Sequence, residues 1–482
     1  MKEKSLVKNS IYYIVYRLIN VIYPLITATY VSRVLEPSGV GEVSLAQTVV
    51  IFLVACASLG IPNYGVREVS RAESADKLNR LFSELFLINI FSTAIVSILY
   101  YGVVHFADLG INRILYYIEG IILLLNVINV DWFYQGIENF RYIAIRSCIV
   151  KIISVFAIFS FVKTKNDICI YALIFALAYA GNYLFNIINL RKYIRFTVKG
   201  IKPQIHLASV AILAITYISN EIYVTVDSVM LGIFSVSSEV GYYSNAMKVI
   251  KILINVFTAA GVALLPRLSV LKSEGKIERI NSITNQAIRL LLLLILPSMI
   301  GMILVSKELV VVLFGSKFGP ASSILAVLSL LIVLRTISNL FLQILISNNK
   351  DENTSIIYLT AMIGNVGMNF FLIQHSGAVG AAIASVISEF YIMCVLYNVA
   401  KRYGNFRIGI KYFGSVVISC ISMVIVVKMI YYFVGAIFIR LFLSILMGSV
   451  TFFTIGYITK NESIYFMLEL IKKGVKKYAH KC

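Results

Sequence analysis

The chain has 482 residues, of which 59% are hydrophobic and 14% charged, and its formal net charge is +20. Soluble domains run nearer 45–50% apolar and about 25% charged, so a water-soluble fold of this size has no interior able to hide the surplus. Apolar runs of about 20 residues, each enough to cross a bilayer, recur along the whole chain. A basic nucleic-acid surface is the weaker reading of the charge, because lysine and arginine collect in alternate connections between those runs.

In chain order the predicted spans are 9–34, 40–63, 81–104, 114–137, 143–162, 168–190, 205–235, 241–266, 283–305, 321–347, 354–375, 377–400, 411–434 and 437–459. The fold class is all-α and integral to the membrane, with about 14 transmembrane helices. The opening MKEKSLVKNS precedes an apolar stretch that contains Arg17 and Pro24 and lacks a small-x-small cleavage site, so it reads as a retained first span. Basic connections such as GVREVSRAESADKLNR, RKYIRFTVKGIKP, RLSVLKSEGKIER and AKRYGNFRIGIKY fall on one side. The positive-inside rule makes that side, and both termini, cytoplasmic. Such loops lie on anionic lipid. The opposite connections are brief, the longest running from Ser306 to Pro320. The tail 460–482 has apolar residues at helical spacing and ends in lysines, as an amphipathic interfacial helix does. Six cysteines show no CxxC spacing and imply no disulfide framework.

The chain also echoes itself. VGEVSLAQTV at 40–49 and VGYYSNAMKV at 240–249 share five of ten positions without a gap, and Arg67 meets Arg267 at the same offset of 200. The echo falls on spans two and eight, so each repeat holds six helices and begins on the same side of the membrane. Repeats of that kind are related by a pseudo-two-fold axis along the membrane normal. The expected organisation is an N-terminal six-helix lobe over 1–190, a cytoplasmic basic linker over 191–204, and a C-terminal six-helix lobe over 205–400. Two further transmembrane helices follow over 401–459, then the tail. Two lobes facing across a cleft favour alternating access by rocking.

Ionisable groups within spans cost about 2.5–3.5 kcal/mol each on insertion scales and usually face a cavity or a partner. In span one Arg17 shares a helical face with Tyr13, Asn20 and Pro24. In span eight Lys248 and Lys251 adjoin Asn245 and Asn255 at spacings of three and four, forming a cationic stripe. Arg335 in span ten adds a fourth cation, whereas Lys428 in span thirteen lies outside the repeat and is read as snorkelling. The acids are fewer: Glu42, Glu119, Asp131, Glu221, Asp227 and Glu389. Asp227 has two readings, an ion pair joining spans seven and eight or, with Glu221, a coupling-ion or gating role. Arg17, Lys248 and Lys251 exceed what nearby acids neutralise, so they are read as a cationic cavity suited to phosphate or pyrophosphate. An inside-negative potential helps expel such an anion by about 2.3 kcal/mol per charge per 100 mV.

The four histidines form no cluster with cysteines or carboxylates at metal-ligand spacing, so no metal site is expected. No GxxxxGK[ST] loop is present. No cofactor is expected, and the short outer connections argue against an enzyme.

Four segments carry a family resemblance: GIPNYGVREVSR at 60–71, DWFYQGIENFRYIAIRSCIVKIISVFAIF at 131–159, VDSVMLGIFSVSSEVGYYSNAMKVIK at 226–251 and SGAVGAAIASVISEF at 376–390. Together they resemble the polysaccharide-transport branch of the multidrug/oligosaccharidyl-lipid/polysaccharide exporter superfamily, over residues 5 to 400. The resemblance implies a flippase that turns an undecaprenyl-pyrophosphate-linked oligosaccharide, the repeat unit of O-antigen or capsule, from the inner to the outer leaflet of a bacterial cell membrane. Its implied partners are that substrate, membrane lipids, and the polymerase and chain-length regulator of the same pathway, with no nucleic acid. In this branch basic residues on helices one and eight line the cavity, matching Arg17 and Lys248 or Lys251. Many members have twelve spans, and the count of fourteen resembles related peptidoglycan-precursor and sporulation-associated flippases. The competing functions are a cation-coupled drug or small-molecule exporter of the same fold, which would rest on Glu221 and Asp227, and a membrane polysaccharide polymerase.

Overall fold

A computed structural model describes residues 3–107, 112–197, 200–274, 276–348, 354–403, 410–467 and 469. Among the described residues all regular structure is helical. In order the helices are α1 (Glu3–Ser58), α2 (Ile61–Ser70), α3 (Ala75–Phe106), α4 (Arg113–Leu125), α5 (Asp131–Gly136), α6 (Phe140–Phe161), α7 (Ile168–Leu190) and α8 (Gln204–Phe234). They continue with α9 (Ser237–Ser273), α10 (Ile277–Phe314), α11 (Ala321–Leu328), α12 (Leu330–Ser347), α13 (Thr354–Ala400), α14 (Ile410–Phe433) and α15 (Ile437–Ile458). The chain divides into two compact units, Met1–Ser244 and Asn245–Cys482.

Nine helices among the described residues are long and apolar enough to cross a membrane, or ten if the bent pair Gln204–Ser219 and Val224–Phe234 is one span. Two of the nine hold two predicted spans each. At 1.5 Å per residue the 56 residues of α1 and the 47 of α13 would run about 70–85 Å, more than twice a hydrocarbon core of roughly 30 Å. Each is interrupted where the sequence analysis ends one span and begins the next: α1 at Glu36 (φ 62°, ψ 172°), just before Pro37, and α13 at Gly377 (φ 53°).

The fourth predicted span is also two pieces. α4 ends at Leu125, a 3₁₀ turn covers Asn126–Ile128, and α5 starts at Asp131. Breaking a helix at membrane depth frees backbone groups that lipid cannot satisfy, so the protein must. Asn89 of α3 donates its amide to the carbonyls of Asn126 (2.7 Å) and Val127 (3.1 Å). The side chain of Asn126, fully buried, accepts from Ser58 Oγ (3.1 Å) and Asn129 (3.0 Å) and donates to Thr93 Oγ1 (3.1 Å). Below the break Trp132, Phe133 and Tyr134 enter a core with Ile61, Tyr64 and Phe82, so much of the DWFYQG segment serves packing.

The predicted linker is held by side chains of α3. Asn79 accepts the backbone N–H of Arg195 (2.9 Å), Ser83 that of Thr197 (3.1 Å), and Glu84 that of Lys202 (2.6 Å). His206 then bridges Glu84 Oε2 and the Tyr64 hydroxyl, each at 2.8 Å.

In the second unit α14 and α15 pack on α10. Leu293 joins Tyr412, Val416, Met423 and Phe452 in one core. The carboxylate of Glu308, almost fully buried on α10, takes Arg440 Nη1 of α15 at 3.3 Å and the hydroxyl of Tyr431 on α14.

The ten-residue echo is in contact with itself. A Cβ on Gly41 would stand 1.7 Å from the carbonyl oxygen of Ser237, and one on Gly241 would stand 2.2 Å from that of Pro37. Ser244 Oγ donates to Ser44 Oγ at 3.1 Å. Positions 200 residues apart thus meet reciprocally, and only glycine lets the two backbones come so close. Gly41→Ala should therefore destabilise the folded protein by at least about 1–3 kcal/mol, the usual cost of overpacking. Gly102→Ala, with open space around its Cβ, should not; thermal unfolding of the detergent-solubilised proteins compares the two.

Candidate functional site

The break in the fourth span positions a polar cavity of about 380 Å³ between α1, α5, α6 and α7, inside the first unit. Asp131, at the first turn of α5, faces Arg146 of α6, whose Nη1 lies 3.0 Å from Asp131 Oδ1. Asn186 of α7 closes the knot: its amide donates to Asp131 and its oxygen accepts from Arg146. The Arg146 side chain is 4% exposed and that of Asp131 28%, so the arginine is buried while its carboxylate partner is partly open.

Lys151 is placed differently. It lies on α6 with Ser147 and Ser154, at i, i+4 and i+7, and this polar stripe faces a second one on α1 made of Asn20, Tyr23 and Thr27. The Lys151 ammonium donates to Asn20 Oδ1 and stands 5.3 Å from the centroid of the Tyr23 ring. Ser154 Oγ donates to the Tyr23 hydroxyl at 2.9 Å. Pro24 brings no N–H to α1, so the helix can bend beside this stripe. Among the described residues no carboxylate lies within ion-pair distance of Lys151, and its ammonium has three donors to place.

Two further atoms at the cavity wall are buried without partners among the described residues, Arg146 Nε and Asn182 Oδ1. One is a donor and the other an acceptor. Buried polar atoms are nearly always paired, so both would gain from a rearrangement that admits a hydrogen-bonding ligand or water. Tyr179 and Phe175 supply aromatic surface to the same cavity. Cation, donor, acceptor and aromatic face together suit a hydroxyl-rich or phosphorylated molecule.

The sequence-predicted residues are distributed as follows. Asn20 is in the cavity, on Lys151. Arg17 sits one turn earlier on α1, and its side chain lies outside the described residues. In the second unit Lys248 donates to the fully buried Asn245 at 3.1 Å, and Lys251, one turn on, is exposed. Arg335 pairs with Glu389 through Nε at 3.0 Å, both largely buried. Asp227 accepts a hydrogen bond from Tyr243 at 2.7 Å, which ties α8 to α9. Glu221 falls in the 55° bend of α8 between Ser219 and Val224. Sequence reasoning missed Lys151, Arg146 and the role of Asp131, although the stripe Ser147, Lys151, Ser154 was available as a signal.

Comparison with known proteins was decisive for the family. The model of the polysaccharide biosynthesis protein family matches residues 6–272, more than half of the chain. The chain belongs to that family. It is 24% identical over 390 residues to a candidate O-antigen transporter of Shigella dysenteriae, covering 79% of this chain and 96% of the relative. It is 27% identical over 246 residues to a candidate low-salt glycan biosynthesis flippase of Haloferax volcanii, covering 50% of this chain and 51% of the relative. Among solved structures it resembles the lipid II flippase MurJ in an inward closed conformation, with a TM-score of 0.79 at 16% identity over 95% of this chain and all of that one. An inward-facing multidrug resistance transporter of the MATE family and MOP superfamily gives 0.64 at 14% identity over 79% of this chain and 93% of that one. This member of the polysaccharide biosynthesis family is therefore an integral membrane protein with the MurJ and MATE fold.

The two cations of the cavity should behave differently on substitution. Arg146→Met removes the ion-pair partner of the partly exposed Asp131 carboxylate and should cost about 1.5–3 kcal/mol, seen as a fall in the thermal midpoint in detergent. Lys151→Gln leaves no buried carboxylate unpaired and should stay close to the parent.

Proposed function

We propose that this protein is a flippase that turns a lipid-linked oligosaccharide, carried on a polyprenyl pyrophosphate, from the cytoplasmic to the outer leaflet of a bacterial cell membrane. The observation that carries the reading is the ammonium of Lys151, which has no carboxylate within ion-pair distance among the described residues, in a cavity also lined by Arg146, Asn182 and aromatic surface. A phosphate gains there the charge-assisted hydrogen bonds that replace its lost hydration. Sugar rings find hydroxyl partners at Asn182 and stacking surface at Tyr179. The family, and relatives described as an O-antigen transporter and a glycan flippase, agree with this cargo.

In this reading the lobes are residues 1–190 and 205–400, and they alternate access around a cationic surface to which Arg17, Lys248 and Lys251 also contribute. Arg335, paired with Glu389, supports the second lobe and contributes little free charge. Both termini are cytoplasmic by the distribution of lysine and arginine, and the inside-negative potential drives the anionic headgroup outward. A polymerase and its chain-length regulator would take up the product. The chain carries no chemistry of its own in this scheme.

The test uses Lys151→Gln alone and combined with Arg17→Gln. Removing one charge-assisted hydrogen bond costs about 1.5–3 kcal/mol, roughly 10- to 100-fold in binding. Lys151→Gln should therefore reduce surface polysaccharide, and the double variant should abolish it, at parental amounts of protein in the membrane. Parental polysaccharide in the double variant would end the proposal. Loss of drug resistance on gene deletion, with the surface glycan intact, would favour a drug exporter.

A further inference from the structure

Glu119 is a buried carboxyl of the first unit. It lies at mid-length in α4, in the apolar run RILYYIEGIILLL, and is fully buried. Its Oε1 accepts the side-chain amide of Gln47 on α1 at 3.2 Å. Its Oε2 is buried with no hydrogen-bond partner among the described residues. No described lysine, arginine or histidine lies within ion-pair distance of it.

The described groups around it on the packed elements are neutral or acidic, and the nearest histidine of α3, the exposed His105, bonds the Tyr117 hydroxyl at 3.1 Å. α1 brings Gln47 and, further along, the half-buried Glu42, which is in electrostatic range of Tyr116 one turn before Glu119. α3 brings Tyr100, whose hydroxyl is committed to the Tyr116 carbonyl at 2.7 Å, and Tyr101 beside it. α7 brings Tyr171. An ionised carboxylate here would be a buried charge with one amide for company, which costs several kcal/mol. A carboxylic acid fits: its hydroxyl can donate to Gln47 with that amide rotated, so the Gln47 contact persists in either protonation state.

Gln47 lies one turn along α1 from Ser44, the residue bonded to Ser244 at the glycine crossing. Separation of the Gly41–Thr48 segment of α1 from α4 would wet Glu119 and release its proton, and return of the segment would require the proton back. We propose that Glu119 is a proton-binding site, protonated in the conformation described here and deprotonated when this part of α1 leaves α4. It would couple proton movement to transport, and in that respect it rests on the flippase reading. The only bond made and broken is the carboxyl O–H: one proton is taken up from one aqueous side, and the same proton is released to the other.

Two measurements separate this proposal from that reading. Infrared spectra of the purified full chain in lipid nanodiscs should show a protonated-carboxyl band that Glu119→Gln lacks and that bleaches reversibly as pH is raised. In proteoliposomes containing lipid-linked oligosaccharide extracted from host membranes, an imposed pH gradient should change the parental flipping rate several-fold. Glu119→Gln should flip at a rate that ignores the gradient. A parental gradient response in Glu119→Gln, or infrared spectra identical in parent and variant, overturns the proton site. A parent that shows the pH-sensitive band yet flips nothing upholds the site and sinks the flippase reading.

Discussion

A backbone carbonyl at membrane depth has no water to bond, and that constraint governs the first unit. The fourth span breaks after Leu125, and the break survives because Asn89 captures the carbonyls of Asn126 and Val127 while Asn126 itself binds Ser58, Thr93 and Asn129. Each such group left bare would cost several kcal/mol. The hub therefore fixes α1, α3 and the broken span to one another. Where the chain resumes, Asp131 opens α5 within reach of Arg146 and Asn186. The cavity exists because the helix stops.

Within that cavity two cations have opposite electrostatic standing. Arg146 is held through Nη1 by a carboxylate and an amide inside the protein. Lys151 has an amide and a ring but no counter-charge among the described residues. A flexible ammonium with three rotatable donors suits a cargo that must be released as well as bound, whereas a guanidinium ion-paired inside the protein suits a permanent joint.

The all-helical, membrane-embedded character was legible in the sequence because bilayer hydropathy is a local property. Even the joins inside α1 and α13 were visible at residues near Pro37 and Gly377. The echo at 40–49 and 240–249 was visible in the sequence, but the backbone contact between its two copies required the glycines to be seen meeting carbonyls. The break at Asn126 was hidden, since apart from Asn129 its side-chain partners lie 33 to 68 residues away in sequence. Charge pairing was hidden for the same reason: Arg335 finds Glu389 across 54 residues. Lys151 was recoverable in principle, but two serines are a faint signal in a span where serine often bonds its own helix, as Ser154 also does to the Lys151 carbonyl.

The clamp between α10 and the last helix bears on how the protein is made. Membrane helices leave the ribosome in order, and Glu308 is synthesised 132 residues before Arg440. Until α15 arrives, the carboxyl that the finished protein buries has no guanidinium beside it, and Tyr431 of α14 reaches it first. The two C-terminal helices are thus the step that completes the charge balance of α10. A nascent chain stalled or truncated before residue 437 would present an acidic, unfinished helix face to the membrane's quality-control machinery.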